Sequence, residues 1–327
     1  MRHACLMLLG VLWTAFTSYA QTPQFTQFYH APMALNPAFA GTAEQYRLAL
    51  LHRQQWLGAA ARFATTHAAF DAHLPFMSSG MGIYLAHDLA PQASMQQTTL
   101  QGIYSFGVRL SKQYVLRMGL NAGVSNRSLS RSNLRFTSQV RPDEPDVFEG
   151  AGSDSRFFAD IGAGCLLYGK WIWIGAAVLH LNRPDIAFLT GESAGLPRLY
   201  TVHAGTKLVL PTAGSGDVYL MPNLLFRQQA VAQQLDIGAR IGFERFPVQV
   251  GIQYRGLPLQ QSFGLPRHDA LSAVVGIYQK NWQVAYSYDL PLSTMNRVTG
   301  GSHEIGIVYS WATRYFRQQT SVRCPVF

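Results

Sequence analysis

Apolar and polar residues alternate along much of this chain. The alternation is clearest in four segments, 114–125, 234–244, 248–255 and 282–289. In the last of them one face carries Trp282, Val284, Tyr286 and Tyr288, and the other carries Gln283, Ala285, Ser287 and Asp289. A period of two residues predicts β-strands with one apolar face. Each segment is close to the roughly 9–11 residues that a tilted strand needs to cross a bilayer.

The whole pattern predicts about fourteen strands, an even number of the kind that bacterial outer-membrane barrels have. They cover 45–56, 62–74, 80–88, 95–109, 113–125, 157–168, 171–181, 199–210, 216–227, 233–244, 247–255, 269–279, 281–289 and 302–312. The segment 171–181 is apolar on both faces and fits the alternation poorly. The prediction is an all-β, antiparallel, up-and-down transmembrane barrel that occupies residues 45–312.

The predicted connections differ in length according to the parity of the strand that precedes them. After even strands they are short: Pro75–Ser79, Leu110–Lys112, Gly169-Lys170, Pro211–Ser215, Arg245-Phe246 and Lys280. The long ones follow odd strands: Asn126–Arg156, Asn182–Arg198, Gly256–His268 and Leu290–Gly301. Outer-membrane barrels have short periplasmic turns and long extracellular loops. This difference predicts that the loops after odd-numbered strands are extracellular and that both chain ends are periplasmic.

The final predicted strand is the most informative one. Its apolar face carries Ile305, Ile307, Tyr309 and Trp311, and its other face carries Glu304, Gly306, Val308 and Ser310. The spacing of Glu304, Gly306, Tyr309 and Trp311 resembles the terminal-strand signal of bacterial outer-membrane barrels. Alternation alone would also suit a soluble periplasmic sandwich or propeller, but the chain lacks the 40–50-residue repeat of a propeller.

Composition favours the bilayer. Charged residues make up 13% of the chain, against about 25% in an ordinary soluble domain. After the first 20 residues no apolar stretch is long enough for a transmembrane helix. A closed barrel places the apolar surface of such a chain in lipid and satisfies every backbone hydrogen bond internally.

The N-terminus predicts export. Arg2 and His3 precede an apolar run over 4–16, and Ser18-Tyr19-Ala20 is a small-x-small cleavage pattern. As a helix the run would cover about 20 Å, too little for a hydrocarbon core of about 30 Å. We therefore expect residues 1–20 to be a cleaved signal peptide. Two distant mature cysteines, Cys165 and Cys324, do not make a disulfide framework.

Residues 21–44 precede the first strand and carry six large apolar residues among three prolines: Phe25, Phe28, Tyr29, Met33, Leu35 and Phe39. The prolines disfavour a long helix and a central strand. Apolar groups of this number are not expected to stay in water. The segment is predicted to enter the lumen or the periplasmic mouth as a plug, the alternative being a flexible export leader.

Catalytic motifs are absent from the sequence. Adjacent pairs such as His87-Asp88, His268-Asp269 and His303-Glu304 cannot converge on one site, because neighbouring strand residues face opposite ways. Asp71 and His73 share a face but lack a third ligand or a nucleophile. No Gly-x-Ser-x-Gly, His-Glu-x-x-His, Cys-x-x-Cys or phosphate loop occurs. We expect no catalytic residue, metal or cofactor, and we expect lumenal hydrogen bonding near the extracellular rim for His303 and Glu304.

The formal net charge is +9, and it becomes +8 when Arg2 leaves with the signal. Nucleic acid is not expected as a partner of an exported barrel. Arginines at inward positions of strands suit a polar lumen, and outer-membrane lipid headgroups can pair with others. The expected periplasmic tail, 313–327, carries Arg314, Arg317 and Arg323. This cluster is a candidate contact for an acidic periplasmic partner, or simply solvated charge.

The loop 126–156 is basic in its first half and acidic in its second. Functional residues concentrate on such surface loops. The loop is a candidate contact for a secreted client, with a plain solvated loop as the alternative.

Several short motifs carry a family resemblance. They are Gln24-Phe25-Thr26-Gln27-Phe28-Tyr29, Leu35-Asn36-Pro37-Ala38-Phe39-Ala40-Gly41, Arg53-Gln54-Gln55-Trp56, Tyr288-Asp289, Gly300-Gly301-Ser302-His303-Glu304 and the ending Arg323-Cys324-Pro325-Val326-Phe327. Together they resemble the PorP/SprF family of type IX secretion system outer-membrane proteins. The motif residues are Asn36, Pro37, Gly41, Arg53, Trp56, Gly301, His303, Glu304 and Gly306. Phe39 stands where Tyr is common, and Trp56 is followed by Leu57 where Val or Ile is common.

The resemblance implies a non-enzymatic component of the secretion and gliding machinery in the outer membrane. It would support secretion or surface anchoring of a large adhesin with a type IX sorting domain, and bridge to periplasmic secretion-system components. Two other classes stay open. A passive porin would give steady open channels, and a barrel enzyme would lose hydrolytic activity when Asp71 or His73 is changed.

Overall fold

A computed structural model of the protein describes residues 22–58, 62–74, 78–91, 94–130, 153–188, 193–211, 217–262, 265–292, 300–312, 322 and 324–325. The predicted signal peptide lies outside these residues. Among the residues described, no helix is long and apolar enough to cross a membrane.

Antiparallel strands form one closed sheet. They are β1 Tyr46–Gln55, β2 Phe63–Leu74, β3 Ser79–Ala90, β4 Met95–Arg109, β5 Tyr114–Ser130, β6 Ser153–Gly169, β7 Ile172–Leu179, β8 Leu199–Thr206, β9 Leu208–Leu210, β10 Val218–Gln229, β11 Ala232–Phe243, β12 Val248–Ser262, β13 Leu265–Gln279, β14 Trp282–Pro291 and β15 Ser302–Trp311. Strand β1 pairs with β15, and β10 pairs with β11, so the ring has no open edge.

The predicted strand number is confirmed. Both β8 and β9 pair with β10, and together they fill a single position in the ring, interrupted at Lys207. The fifteen strand labels therefore describe a barrel of fourteen positions. The segment that fitted the alternation poorly, 171–181, forms β7.

Three predicted loops are shorter than expected. Strand β5 continues to Ser130 and β6 begins at Ser153, so both extend into 126–156, and residues 131–152 lie outside the described part. The predicted loop 256–268 is wrong, because β12 and β13 occupy nearly all of it. A register shift at Gly256, whose φ is 153°, lets the pair continue past residues that indicated a loop. Strand β14 also runs on to Pro291, shortening the loop predicted over 290–301.

The two faces of the wall differ as the alternation predicts. On β1, Leu48 and Leu50 point outward, whereas Ala49 and Leu51 are buried inside. The outward side chains of the other strands are also apolar, among them Ile83, Leu100, Leu120, Ile174, Val202, Ile237, Val250, Val275 and Ile305. An apolar exterior on a closed barrel is the surface that a bilayer requires.

We call the end of the barrel with the connections after β2, β4, β6, β9, β11 and β13 the turn rim, and the opposite end the loop rim. Aromatic rings cluster on the outer surface at the turn rim, with Trp311 packed on Tyr46, Phe70 and Tyr309. Such rings mark a membrane–water interface. The lengths of its connections are those expected of a periplasmic rim.

The chain before β1 runs through the lumen. It contains a single α-helical turn, Pro32–Leu35, and a 3₁₀ turn, Pro37–Phe39. We call residues 22–44 the plug. Each turn begins with a proline, which is favoured at the first helical position, and Pro37 ends the first turn because the residue before a proline, here Asn36, is disfavoured in helical conformation. The large apolar side chains of the plug, predicted to need a partner, are buried here.

The prediction that both chain ends lie on the periplasmic side is wrong for the start of the plug. Thr22 contacts His180 and Gln229, which lie at the loop-rim ends of β7 and β10. The plug therefore descends the whole lumen before β1 begins at the turn rim. Its large apolar residues are spread over the fifteen positions 25–39, so burying all of them requires this long path inside the wall.

Candidate functional site: the plug and the vestibule

Glycines on the wall let the plug backbone approach closely. A Cβ on Gly119 would lie 2.3 Å from the Ala38 nitrogen, and one on Gly80 would lie 2.2 Å from the Ala40 carbonyl oxygen. A Cβ on Gly164 would lie 2.1 Å from Asn36 Oδ1. Real side chains cannot occupy such positions. These three glycines therefore form the seat of the lower plug.

Asn36 fixes the lower plug to the wall. Its Oδ1 accepts a bond from the Ala38 amide at 2.9 Å and caps the 3₁₀ turn. Its Nδ2 donates to the Cys165 carbonyl at 2.9 Å and lies 3.0 Å from His203 Nε2. The side chain is fully buried, and its single amide group makes hydrogen bonds to both the plug and the wall.

Gly41, near the end of the plug, turns the backbone with a left-handed φ of 71°. Its amide donates to Asp71 Oδ2 at 2.8 Å, and Arg47 Nε donates to Asp71 Oδ1 at 2.7 Å. Both Arg47 and Asp71 are buried. Asp71, considered above as half of a catalytic pair, therefore holds the plug and an arginine.

A buried group of charges holds the upper plug, the part of it around Thr26 and Gln27. Arg53 Nη2 lies 2.6 Å from Asp289 Oδ2, and Arg53 Nη1 lies 3.0 Å from Glu304 Oε2. Glu304 accepts the Thr26 amide at 2.8 Å and the Gln27 amide at 2.7 Å. The Thr26 hydroxyl donates to both Asp289 oxygens at 2.9 Å.

The same group extends to a second arginine. Arg255 lies 3.2 Å from Asp236 and 3.3 Å from Asp289. Three carboxylates thus share two arginines, and two plug amides complete the coordination of Glu304. Removal of one partner would leave an uncompensated buried charge, which is strongly destabilising.

The middle of the plug packs against basic and aromatic groups. The Arg240 guanidinium lies 3.6 Å from the centroid of the Tyr29 ring. His30 Nδ1 lies 2.9 Å from Gln27 Oε1. Burial, together with the neighbouring Arg240 and Arg47, lowers the pKa of His30 to about 3. His30 is therefore neutral when the plug is seated.

Above the plug, the loop-rim end of the lumen holds a cavity of about 700 Å³. We call it the vestibule. Its floor is plug residues Thr22–Phe25, and its wall comes from the loop-rim ends of the strands, including Arg53, Asp88, Arg127, Asp160 and Arg255. A second cavity, of about 20 Å³, lies beside Arg227.

Most of the family-motif residues meet at the contact between plug and wall. Asn36, Pro37 and Gly41 belong to the plug, while Arg53 and Glu304 bind it from the wall. Gly306 accommodates it, since a Cβ there would lie 2.8 Å from both Gln27 Oε1 and His30 Nδ1.

The other motif residues lie outside this contact. Gly301, with φ 72°, accepts the Trp56 amide at 2.8 Å and shapes the loop rim. Trp56 is partly exposed there and packs edge-on against Phe63.

The expected lumenal role is wrong for His303. Its Nδ1 lies 2.6 Å from the hydroxyl of Tyr286, which is on the outer face. Neighbouring strand residues face opposite ways, so Glu304 points inward and His303 outward. The lumenal position of Glu304 agrees with the expectation.

Several residues of the site were not predicted from the sequence, namely Thr26, Gln27, Gly80, Gly119, Gly164, Asp236 and Asp289 in these roles. Thr26, Gln27 and Asp289 belong to the family motifs and Asp236 is an inward charge, but nothing in the sequence singles out Gly80, Gly119 or Gly164. The meeting of all these residues depends on strand register and on the path of the plug, neither of which the alternation encodes.

The tail differs in part from the expectation. Arg314, Arg317 and Arg323 lie outside the described residues. Cys324, however, is buried in an apolar cluster with Leu166 and Tyr168 near the turn rim. Cys165 and Cys324 are not joined to each other by a disulfide. No group of three potential metal ligands occurs within the described part of the chain.

A closed barrel with an apolar exterior, a polar lumen and its own N-terminal segment inside defines an outer-membrane β-barrel protein with an internal plug. Residues 17–309 match the family described as type IX secretion system membrane protein PorP/SprF. The chain belongs to this family, and it is an outer-membrane component of type IX secretion. The family resemblance carried by the motifs is thereby confirmed.

Solved structures of other barrels are similar at low identity. CdiB from Acinetobacter baumannii is 8% identical with a TM-score of 0.41, covering 82% of this chain and 60% of its own. Omp33 from Acinetobacter baumannii is 9% identical with a TM-score of 0.40, covering 82% and 100%. The toluene transporter TodX from Pseudomonas putida is 11% identical with a TM-score of 0.44, covering 89% and 94%. No curated protein sequence matches the chain significantly.

Proposed function

We propose that this protein supports the secretion or surface anchoring of a large adhesin with a type IX sorting domain. It acts by binding, with no reaction of its own. The loop rim receives the exported adhesin, and the turn rim bridges to periplasmic components of the secretion system. The apolar exterior holds the barrel among outer-membrane lipids.

The distribution of lysine carries the proposal for the turn rim. All four lysines of the chain, Lys112, Lys170, Lys207 and Lys280, lie at that rim. Arg109 and Arg245 lie there too, and among the described residues of this rim Asp217 and Glu244 are the acids that are exposed or partly exposed. A rim with this excess of positive charge attracts an acidic protein surface and steers its approach.

The lumen supports a binding role over passive diffusion. The plug runs through it from the loop rim to the turn rim and is held by amide, ion-pair and glycine contacts along its length. A passive porin needs a continuous aqueous path. The observed plug therefore favours a barrel that presents surfaces to partners.

Charge reversal tests the bridge. Lys112 and Lys280 are exposed at the turn rim, and Arg62 and Arg183 are exposed at the loop rim. We expect Lys112→Glu with Lys280→Glu to reduce co-purification of periplasmic secretion-system components roughly tenfold, since rim charges govern association. The control, Arg62→Glu with Arg183→Glu, changes the net charge equally and is expected to preserve co-purification. Equal co-purification of periplasmic components with the two double variants would contradict a bridge at the turn rim.

A further inference from the structure

The vestibule has the size and depth of a ligand site. Its volume of about 700 Å³ is within the range of small-molecule sites, about 300–1,000 Å³. The floor is closed by the plug, so a molecule that enters from the loop rim meets a wall and a base. This arrangement suits retention of a ligand.

The strand register places polar side chains of the vestibule wall in rows. One row runs from Thr65 through Asp88 and Gln97 to Arg127, each residue directly opposite the next. A deeper row places Gln101 and Asp160 on either side of Gly123. The rows thus offer hydroxyl, carboxylate and amide groups side by side.

Some of these groups have unused hydrogen-bonding capacity. Asp160 Oδ2 binds Gln101 at 3.0 Å and His180 at 2.8 Å, whereas its Oδ1 has no partner although the residue is 2% exposed. Both ring nitrogens of His67, which is 1% exposed, are also without partners. Asp88 Oδ1 is a fourth such atom. Buried polar atoms are normally bonded, so these atoms are suited to bind polar groups of a ligand.

Planar rings stand beside the polar rows. Phe25 and Tyr84 both pack on the His67 ring, with centroids 5.6 and 5.3 Å away. Phe158 lies opposite Ser125 in the wall, and Trp56 lies at the edge. Rings of this kind cover the C–H faces of a sugar, while amides and carboxylates bind its hydroxyls.

The charges of the vestibule disfavour an anion. Arg53 and Arg255 are already neutralised by Asp289, Glu304 and Asp236. Arg127 points at the Met95 sulfur and the Phe188 ring. The free oxygens of Asp88 and Asp160 would repel a phosphate or carboxylate.

We propose that the vestibule binds a neutral oligosaccharide. Such a ligand carries many hydroxyl groups and apolar ring faces without charge, which matches the wall. A surface polysaccharide linked to lipid and a glycan on a secreted protein share this chemistry, and both are found outside the cell.

The test uses the full-length protein in a detergent that contains no sugar. Neutral and acidic oligosaccharides of two to four units are titrated by calorimetry, with the tryptophan fluorescence change that is lost in Trp56→Phe as a second readout. We expect saturable binding of neutral probes and at least tenfold weaker binding of acidic ones. Absence of neutral binding, or preference for acidic probes, would overturn the proposal.

Matched variants locate the site. Asp88→Ala and Gln97→Ala remove vestibule groups and are expected to weaken binding about tenfold each, the size of a lost hydrogen bond. Thr98→Ala changes the outward neighbour of Gln97 on the same strand and is expected to have no effect. Equal affinity in all three variants would overturn the proposal. Oligosaccharides released from outer-leaflet lipid and glycopeptides released from secreted proteins are then titrated to distinguish the two sources. If neither binds, the proposal is contradicted.

Discussion

The lower and upper halves of the lumen are enclosed by the same strands but are filled differently. In the lower half, Gly80, Gly119 and Gly164 bring the plug backbone into direct contact with the wall. In the upper half, long side chains such as Gln97, Gln101 and Arg127 line a cavity. Small inward residues therefore determine where the plug is seated, and large polar ones determine where space remains.

Adding a side chain at the glycine seat should have the largest effect on how the plug is held. Gly119→Val would place a side chain on the Pro37–Ala38 backbone, a clash that costs about 3 kcal/mol if the plug stays. We expect the lower plug to leave its seat, and chymotrypsin to cleave at Phe28, Tyr29 and Phe39. Gly102→Val is the control, because a Cβ there has its nearest neighbour at 3.8 Å. Protection of the plug in the Gly119 variant would show that the seat is not required.

The sequence predicts one part of this arrangement well and another poorly. Alternation predicts the barrel, since a side chain's face depends only on its position in its own strand. The plug is predicted from its six apolar residues and three prolines. The seat is not predictable, because Gly119 meets Ala38 only through the path of the plug. His303 shows the same limit, since its motif neighbour Glu304 performs the lumenal role.

Breaking the upper charge group should have the next largest effect. Glu304→Gln keeps the shape but removes one of the two carboxylates bound to Arg53, at a cost of roughly 3 kcal/mol. We expect the midpoint for plug release in urea, followed by chymotrypsin cleavage at Phe25 and Phe28, to fall clearly. Glu244→Gln, at an exposed position of the turn rim, serves as the matched control. A midpoint equal to that of the control would show that Glu304 does not hold the plug.

A change in pH should have the smallest effect. Seated His30 has a pKa of about 3, and released His30 has its ordinary value of 6.5. Because protonation favours the released plug, the contribution of His30 is fully present above pH 6.5 and is lost as pH falls toward 3. The slope within this window is about 1.4 kcal/mol per pH unit. Urea midpoints of plug release between pH 7 and 5, where the loss amounts to about 2 kcal/mol, measure it, and His30→Gln should flatten the curve. An unchanged slope in that variant would show that a group other than His30 causes the pH dependence.

The most direct test of the central claim is single-channel conductance in planar bilayers, comparing the intact mature protein with a variant that lacks residues 22–41. The plug lies inside a barrel that spans the membrane, so the intact protein should give a closed baseline and the shortened one discrete, long-lived openings. Steady open channels from the intact protein, or equal conductance of the two, would contradict a plugged barrel.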